Sequence, residues 1–199
     1  MRFKIIKTMA TIISILNITT LQAWTDLSTF IKYPNKYFIE TGSYLGDGIQ
    51  NAVNAGFKEI YSIELQDSYY EHCSSRFSFN PSVKIFLGSS SDILPLILKE
   101  IDAPATFWLD GHYSGPGTGK KDSNTPLLAE LEHISQHPIK THTILIDDIR
   151  LLEKEEMDFI SLETIIKKIQ SINPDYEFSF ENGYTPKDVL VAIIPNKSK

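Results

Sequence analysis

Short apolar, β-branched runs alternate along this chain with stretches in which apolar residues recur at helical spacing. Tyr37–Glu40, Glu59–Leu65, Val83–Leu87, Thr106–Leu109 and Thr143–Ile146 read as five strands, each ending where glycine, serine or acidic residues begin. Between them lie helical patterns at about Ile49–Ala55, Asp67–Phe77, Ile93–Lys99 and from Thr125-Pro126 through Ile134. Gly56 is placed to stop the first, and Pro126 is tolerated in the first turn of the last. A longer helix is expected over Met157–Ile172, with Ile165, Ile166 and Ile169 along one face. Two further strands, Tyr176–Phe180 and Val189–Ile194, flank an Asn182-Gly183-Tyr184 turn and should pair antiparallel. Strand–helix alternation of this kind builds a doubly wound α/β domain around a mainly parallel seven-stranded sheet with an antiparallel end strand. Ser114–Asn124 carries Gly115, Pro116, Gly117 and Gly119 and can only be a loop.

In such sheets ligands bind beyond the C-terminal strand ends, near the point where strand order reverses. The chemistry-bearing residues fall there. Glu40-Thr41-Gly42-Ser43-Tyr44-Leu45-Gly46-Asp47-Gly48 follows the first strand and opens a helix, so backbone can approach a ligand and unpaired N–H groups face it. Glu64 ends the second strand, where an acid can accept hydrogen bonds from both hydroxyls of a ribose. A tight βα turn beside a surface glutamate is the plainer alternative. The pattern E-x-G-x-x-x-G-x-G over Glu40–Gly48, with Glu64, resembles the class I S-adenosylmethionine-dependent methyltransferases. The likeness runs from about Tyr37 to Pro195 and implies a Rossmann-like methyltransferase fold with S-adenosylmethionine as cofactor. It implies that Gly42, Gly46 and the adjoining backbone, with Glu40 and Ser43 in the same loop, hold the methionine part. Glu64 would hold the ribose, and Gly88–Ser91, Ser90 among them, would lie against the adenine.

Asp110 ends the fourth strand, and Asp147-Asp148 end the fifth, so three carboxylates should meet in one crevice. Gathered like charges need a cation or a proton, and hard oxygen donors suit Mg²⁺ or another divalent ion. The arrangement resembles the metal-dependent macrocin-type O-methyltransferases, which implies Asp110, Asp147 and Asp148 as metal ligands. That likeness implies methylation of a hydroxyl on a small molecule or sugar. Asp147-Asp148 could instead cap a helix or pair with Arg150. His112, in Asp110-Gly111-His112-Tyr113, is a further ligand, the general base, or a packed polar residue. Asp110 and His112 are the catalytic candidates. His133, His137 and His142 read as structural or solvent-facing, and the Ser114–Asn124 loop as a lid or substrate-recognition loop.

Other chemistries fit poorly. A dinucleotide oxidoreductase needs G-x-G-x-x-G, which is missing, and the Gly115–Lys120 run fails the phosphate-loop pattern because Lys121 follows Lys120. Net charge is −6 with no Lys/Arg-rich run, which argues against nucleic acid as partner. Cys73 is the only cysteine, so an internal disulfide is impossible, and a small core role suits it better than a catalytic thiol.

Residues 1–23 stand apart from the domain that follows, 24–199. Arg2, Lys4 and Lys7 precede an apolar stretch from Met9 to Ile18, and Leu21-Gln22-Ala23 ends on a small residue. This is the order of a signal peptide and implies export, periplasmic or secreted; the alternatives are an amphipathic leader or a mis-set start, which leave the chain cytoplasmic. The stretch is too short for a stable membrane span. S-adenosylmethionine is an intracellular cofactor, so export would favour a non-methylating relative that uses the same fold and carboxylates for metal-dependent chemistry or binding. Oligomeric state is not written in the pattern.

Overall fold

The computed structural model describes residues 27–195, so the leader assigned to residues 1–23 lies outside the described residues. Seven strands form one sheet: β1 (Tyr37–Thr41), β2 (Glu59–Glu64), β3 (Val83–Leu87), β4 (Ala105–Leu109), β5 (Thr143–Ile146), β6 (Glu177–Glu181) and β7 (Val189–Ile193), in the order β3-β2-β1-β4-β5-β7-β6. β1 pairs in parallel with both β2 and β4, β2 with β3, and β4 with β5. The antiparallel strand is β7, which runs between β5 and the edge strand β6 and opposes both. Doubly wound, mainly parallel and seven-stranded, the sheet is as the pattern predicts; the antiparallel strand sits one place in from the edge.

Alternation along each central strand divides the core in two. Tyr37, Ile39, Phe107, Leu109, Ile144 and Ile146 face one side. There they meet α4 (Ser90–Leu98), α5 (Leu127–Gln136) and α6 (Leu162–Ile172) through Leu94, Leu131 and Ile165. Phe38, Ile60, Trp108 and Leu145 face the other side, against α1 (Leu27–Lys32), α2 (Asp47–Ala55) and α3 (Asp67–Arg76). Both faces of β1 and β4 are covered, so every residue of these two strands is buried. Helix α1, which the apolar pattern does not announce, seats Phe30 on Phe38 and Trp108, with ring centroids 4.7 and 5.2 Å apart. Cys73 is buried in the same layer, and burial, with Glu40 and Glu64 nearby, pushes its thiol up to about 12, so it packs rather than reacts.

Two helix boundaries differ from expectation. α4 begins at Ser90 rather than Ile93, because Ser89 holds the extended cap conformation and Asp92 enters the first turn. The helix expected from Met157 starts only at Leu162. Ahead of it are two short 3₁₀ turns, Ile149–Leu151 and Glu155–Met157, and Asp158 and Phe159 adopt positive φ. Asp158 is drawn out of any helix by Asn124, whose backbone N–H and side-chain amide both donate to its carboxylate. That is a tertiary contact invisible to periodicity.

His137 and His142 are buried, as a structural role requires. Ala105 N–H donates to His142 Nδ1 at 3.0 Å, so the proton of the neutral ring sits on Nε2 and points to His137 Nδ1, 2.9 Å away. Burial, reinforced by His137, holds His142 down to about 3.

Ser161 ends the irregular stretch by accepting the Thr164 N–H at 3.2 Å. Ser161→Ala should lower stability by about 1 kcal/mol, read as a shifted urea midpoint at unchanged slope.

Candidate functional site

Strand order reverses between β1 and β4, so the crevice of this sheet opens beyond their C-terminal ends. The chain leaves β1 through Gly42, whose φ is 86° and whose N–H still donates to Ile63 of β2. A Cβ there would stand 2.6 Å from the Asp110 carbonyl oxygen, so only glycine lets the β1 and β4 exits lie side by side. Gly46 caps α2 and packs on Phe77 and Cys73.

Gly48 answers to a different demand. Glu40 is buried beneath the first turn of α2, and a Cβ on Gly48 would overlap its Oε1. The Glu40 carboxyl accepts the Ser62 hydroxyl at 2.5 Å, and the Ser62 oxygen lies 2.6 Å from that of Ser43. Ser43 is thereby turned inward, and it offers a ligand its backbone rather than its hydroxyl. Burial pushes Glu40 up to about 8, with Asp110, Glu64 and Asp47 adding repulsion, so near neutrality it keeps its proton.

Glu64, at the end of β2, accepts the Tyr44 N–H at 2.9 Å on one oxygen and the Gln66 N–H at 2.8 Å on the other. Each oxygen retains a lone pair. The acid is therefore fixed against the glycine loop and can still accept two hydroxyl donors. Ser90 opens α4 but is buried, with its hydroxyl toward Glu130, so toward the crevice it too presents backbone.

The second half of the site lies beyond β4 and β5. Asp110, His112 and Asp148 bring one ligand atom each within 4.8 Å of one another. His112 Nε2 is 3.2 Å from Asp148 Oδ2, and Nδ1 is 3.4 Å from Asp110 Oδ1. Burial pulls the imidazole down, but the Asp110 and Asp148 carboxylates outweigh it and the ring ends raised. Asp147 belongs to a different set, grouped with Asp148 and Asp188, so the three acids expected together do not form one triad. It packs against Gly183 in the β6–β7 turn and accepts the Asp148 N–H at 2.8 Å. Burial, then Asp110 and Asp148, push it up to about 9. Arg150 donates to both Asp148 and Asp188. The pairing of Arg150 with Asp148, an alternative left open by the sequence, is thus present beside the cluster.

Like-charge repulsion alone therefore does not demand a divalent ion, because Arg150, His112 and the Asp147 proton already neutralise much of the group. The donors nevertheless fit one. Two carboxylates and an imidazole converge, and the His112 side chain, 4% exposed, has an Nδ1 without a hydrogen-bond partner.

Asp188 and Arg150 are site residues that the strand-end logic passed over. Asp188 was findable: an antiparallel strand begins where its parallel neighbours end, so the residue before β7 lies on the same rim. Glu130 was findable too, as the one acid in the Leu127, Leu131, Ile134 stripe of α5.

The Ser114–Asn124 loop is pinched at its neck by Tyr113 N–H donating to Asn124 O at 2.6 Å. From there it reaches across to the β2 exit and α4. Gly119 lies on Leu65, where a Cβ would come within 2.8 Å, and Lys121 pairs with Asp92 of α4 at 2.6 Å. It spans both halves of the crevice.

By sequence the chain matches no protein-family model and no curated protein. Its fold, by contrast, is widely shared. An O-methyltransferase from Bacillus cereus, solved with S-adenosylhomocysteine, aligns over 90% of this chain and 83% of its own at TM-score 0.60 and 14% identity. The O-methyltransferase TomG from Streptomyces achromogenes, solved with S-adenosylmethionine, aligns over 81% and 74% at TM-score 0.54 and 15% identity. Spermidine synthase from Thermotoga maritima aligns over 85% of this chain and 57% of its own at TM-score 0.55 and 10% identity. The fold is thus the Rossmann-like methyltransferase fold, and it is not confined to proteins named for methyl transfer.

Glu40 gives the site a pH signature. Its folded value of about 8 exceeds the ordinary 4.5, so its contribution is complete below pH 4.5 and is lost as pH rises through 8. Between pH 7 and 9 this amounts to about 1 kcal/mol of lost stability. In Glu40→Gln the decline over that window should shrink by this amount, measured by urea unfolding at each pH.

Proposed function

We propose that this chain is an S-adenosylmethionine-dependent methyltransferase acting on a hydroxyl oxygen of a small acceptor. The observation that carries the reading is the adjacency of two half-sites on one rim. A glycine turn with a braced acid lies on β1–β2, and a carboxylate–imidazole cluster lies on β4–β5. The neighbours solved with S-adenosylmethionine or S-adenosylhomocysteine support the cofactor.

The residues fit that cofactor. Backbone at Gly42–Gly46 and the first turn of α2 hold the methionine part, and the free lone pairs of Glu64 take the ribose hydroxyls. Backbone at Gly88–Ser91 borders the adenine. The cofactor supplies a methyl group on a sulfonium, transferred in line to the acceptor oxygen when the two are correctly placed. Asp110 and His112 face the same crevice, and His112 takes the hydroxyl proton while Asp110 and Asp148 hold the ring. A divalent ion such as Mg²⁺ would be held by Asp110, His112 and Asp148, with Asp147 behind them, and would lower the pKa of the acceptor hydroxyl. Arg150 on Asp148 favours a second reading, in which His112 serves as the base and no ion is required.

Calorimetry with S-adenosylhomocysteine should show binding that Glu64→Ala weakens at least ~10-fold, the loss of roughly one charge-assisted hydrogen bond. Absence of binding at millimolar ligand removes the proposal. Mg²⁺ titration separates the two readings: heat that disappears in Asp148→Asn supports the ion, and no heat in the wild-type protein leaves the metal-free base.

A further inference from the structure

At the edge of the sheet where the parallel strands begin, opposite the crevice, the C-terminal ends of α4 and α5 leave a groove of about 330 Å³. Pro95, Leu98, Ile101 and Pro138 form its apolar walls. Its polar lining is Lys99, His133, Gln136 and His137, with no acid among the described residues that border it. His137 caps α5 one turn after His133 and is 6% exposed. The Ala105 N–H bond to His142 Nδ1 fixes the His142 proton on Nε2, so His137 Nδ1, 2.9 Å away, can only accept. The proton of the neutral His137 ring therefore lies on Nε2. That nitrogen has no hydrogen-bond partner among the described residues and is not fully enclosed, so the groove is its outlet.

We infer that this groove binds a small carboxylate with an apolar body. The carboxylate accepts from His137 Nε2–H and pairs with Lys99, while the body lies on the proline and aliphatic walls. A nearly buried donor aimed at an apolar-walled groove is costly to leave without an acceptor, and a wholly apolar ligand would leave it so. Histidines four apart on a helix also suit a metal ion, but the nitrogen that His137 presents carries its proton and has no lone pair to give. Helix C-termini carry partial negative charge, which opposes an anion. Lys99 at the end of α4, and Lys140, which donates to the Ser135 carbonyl of α5, set full positive charges against those partial ones. The groove lies apart from the crevice, so this site rests on neither the cofactor nor the carboxylate cluster of the function proposed above.

Nitrogen-15 NMR of the full chain, titrated with benzoate, tests this. Before ligand is added, the His137 ring should show the neutral Nε2–H tautomer. Benzoate at millimolar concentration should then shift that ring and the amides of Leu98, Lys99 and His133 along one saturable curve. Acetate keeps the charge without the body, and benzamide keeps the body without the charge; each should bind at least ~10-fold more weakly. Lys99→Gln, at an exposed position that leaves the walls intact, should weaken benzoate by about tenfold, the worth of one charge-assisted contact. An Nδ1–H ring, a titration that does not saturate, shifts centred on the crevice, or equal affinity for acetate would each overturn the inference. So would shifts at these residues that grow with protein concentration alone, since a second copy of the chain would then be the occupant. No readout uses S-adenosylhomocysteine, so failure here and failure of the cofactor reading are seen separately.

Discussion

Four carboxyl groups, on Asp110, Asp147, Asp148 and Asp188, crowd the rim where β4, β5 and β7 meet, and the site depends on how their charge is balanced. Three devices share the task. Arg150 bridges Asp148 and Asp188. His112 lies between Asp110 and Asp148. Asp147, packed against Gly183, keeps a proton to about 9 because burial and its acidic neighbours disfavour the charge. A cluster neutralised in this way can persist without an ion and still offer one a set of hard donors. The crowding also fixes the backbone: Asp148 is held at φ 57° with its N–H committed to Asp147.

The β1–β2 half of the rim is built by the opposite strategy, with one protonated acid sealed under a helix and a second acid braced at a strand end. Glu40 is sealed under α2, where Ser62 and Ser43 extend it into a chain of hydroxyls and Gly48 makes room for it. Glu64 stands at the neighbouring strand end, braced by two backbone N–H groups with acceptor capacity to spare. Parallel pairing of β1 with β2, which sets Glu40 beside Ser62 and Thr41 beside Ile63, converts a glutamate–glycine motif and a distant glutamate into one surface.

Between the halves, the Ser114–Asn124 loop is tied to Asp158 through Asn124 and to Asp92 through Lys121. Its contact with Leu65, next to Glu64, places it over the residue expected to hold the ribose.

What the sequence determined by itself is the layer plan and the rim. Strand and helix periodicities, glycines at strand exits and acids at strand ends are local signals, and local sterics are enough to make Gly42, Glu64, Asp110 and Asp148 converge once the sheet is doubly wound. Asp147 shows the limit of that logic: it follows β5 as expected and feels the charge of Asp110, yet its ligand atom groups with Asp148 and Asp188, because Asp188 arrives ahead of the antiparallel β7. Ser43 and Ser90 follow β1 and β3, but burial turned their hydroxyls toward Ser62 and Glu130. The start of α6 was misread for a related reason, since Asp158 is claimed by Asn124 across the loop. Only the tertiary structure decided these partners, because charge balance and hydrogen-bond pairing are settled by groups distant in the chain, and no window of sequence contains both members of the pair.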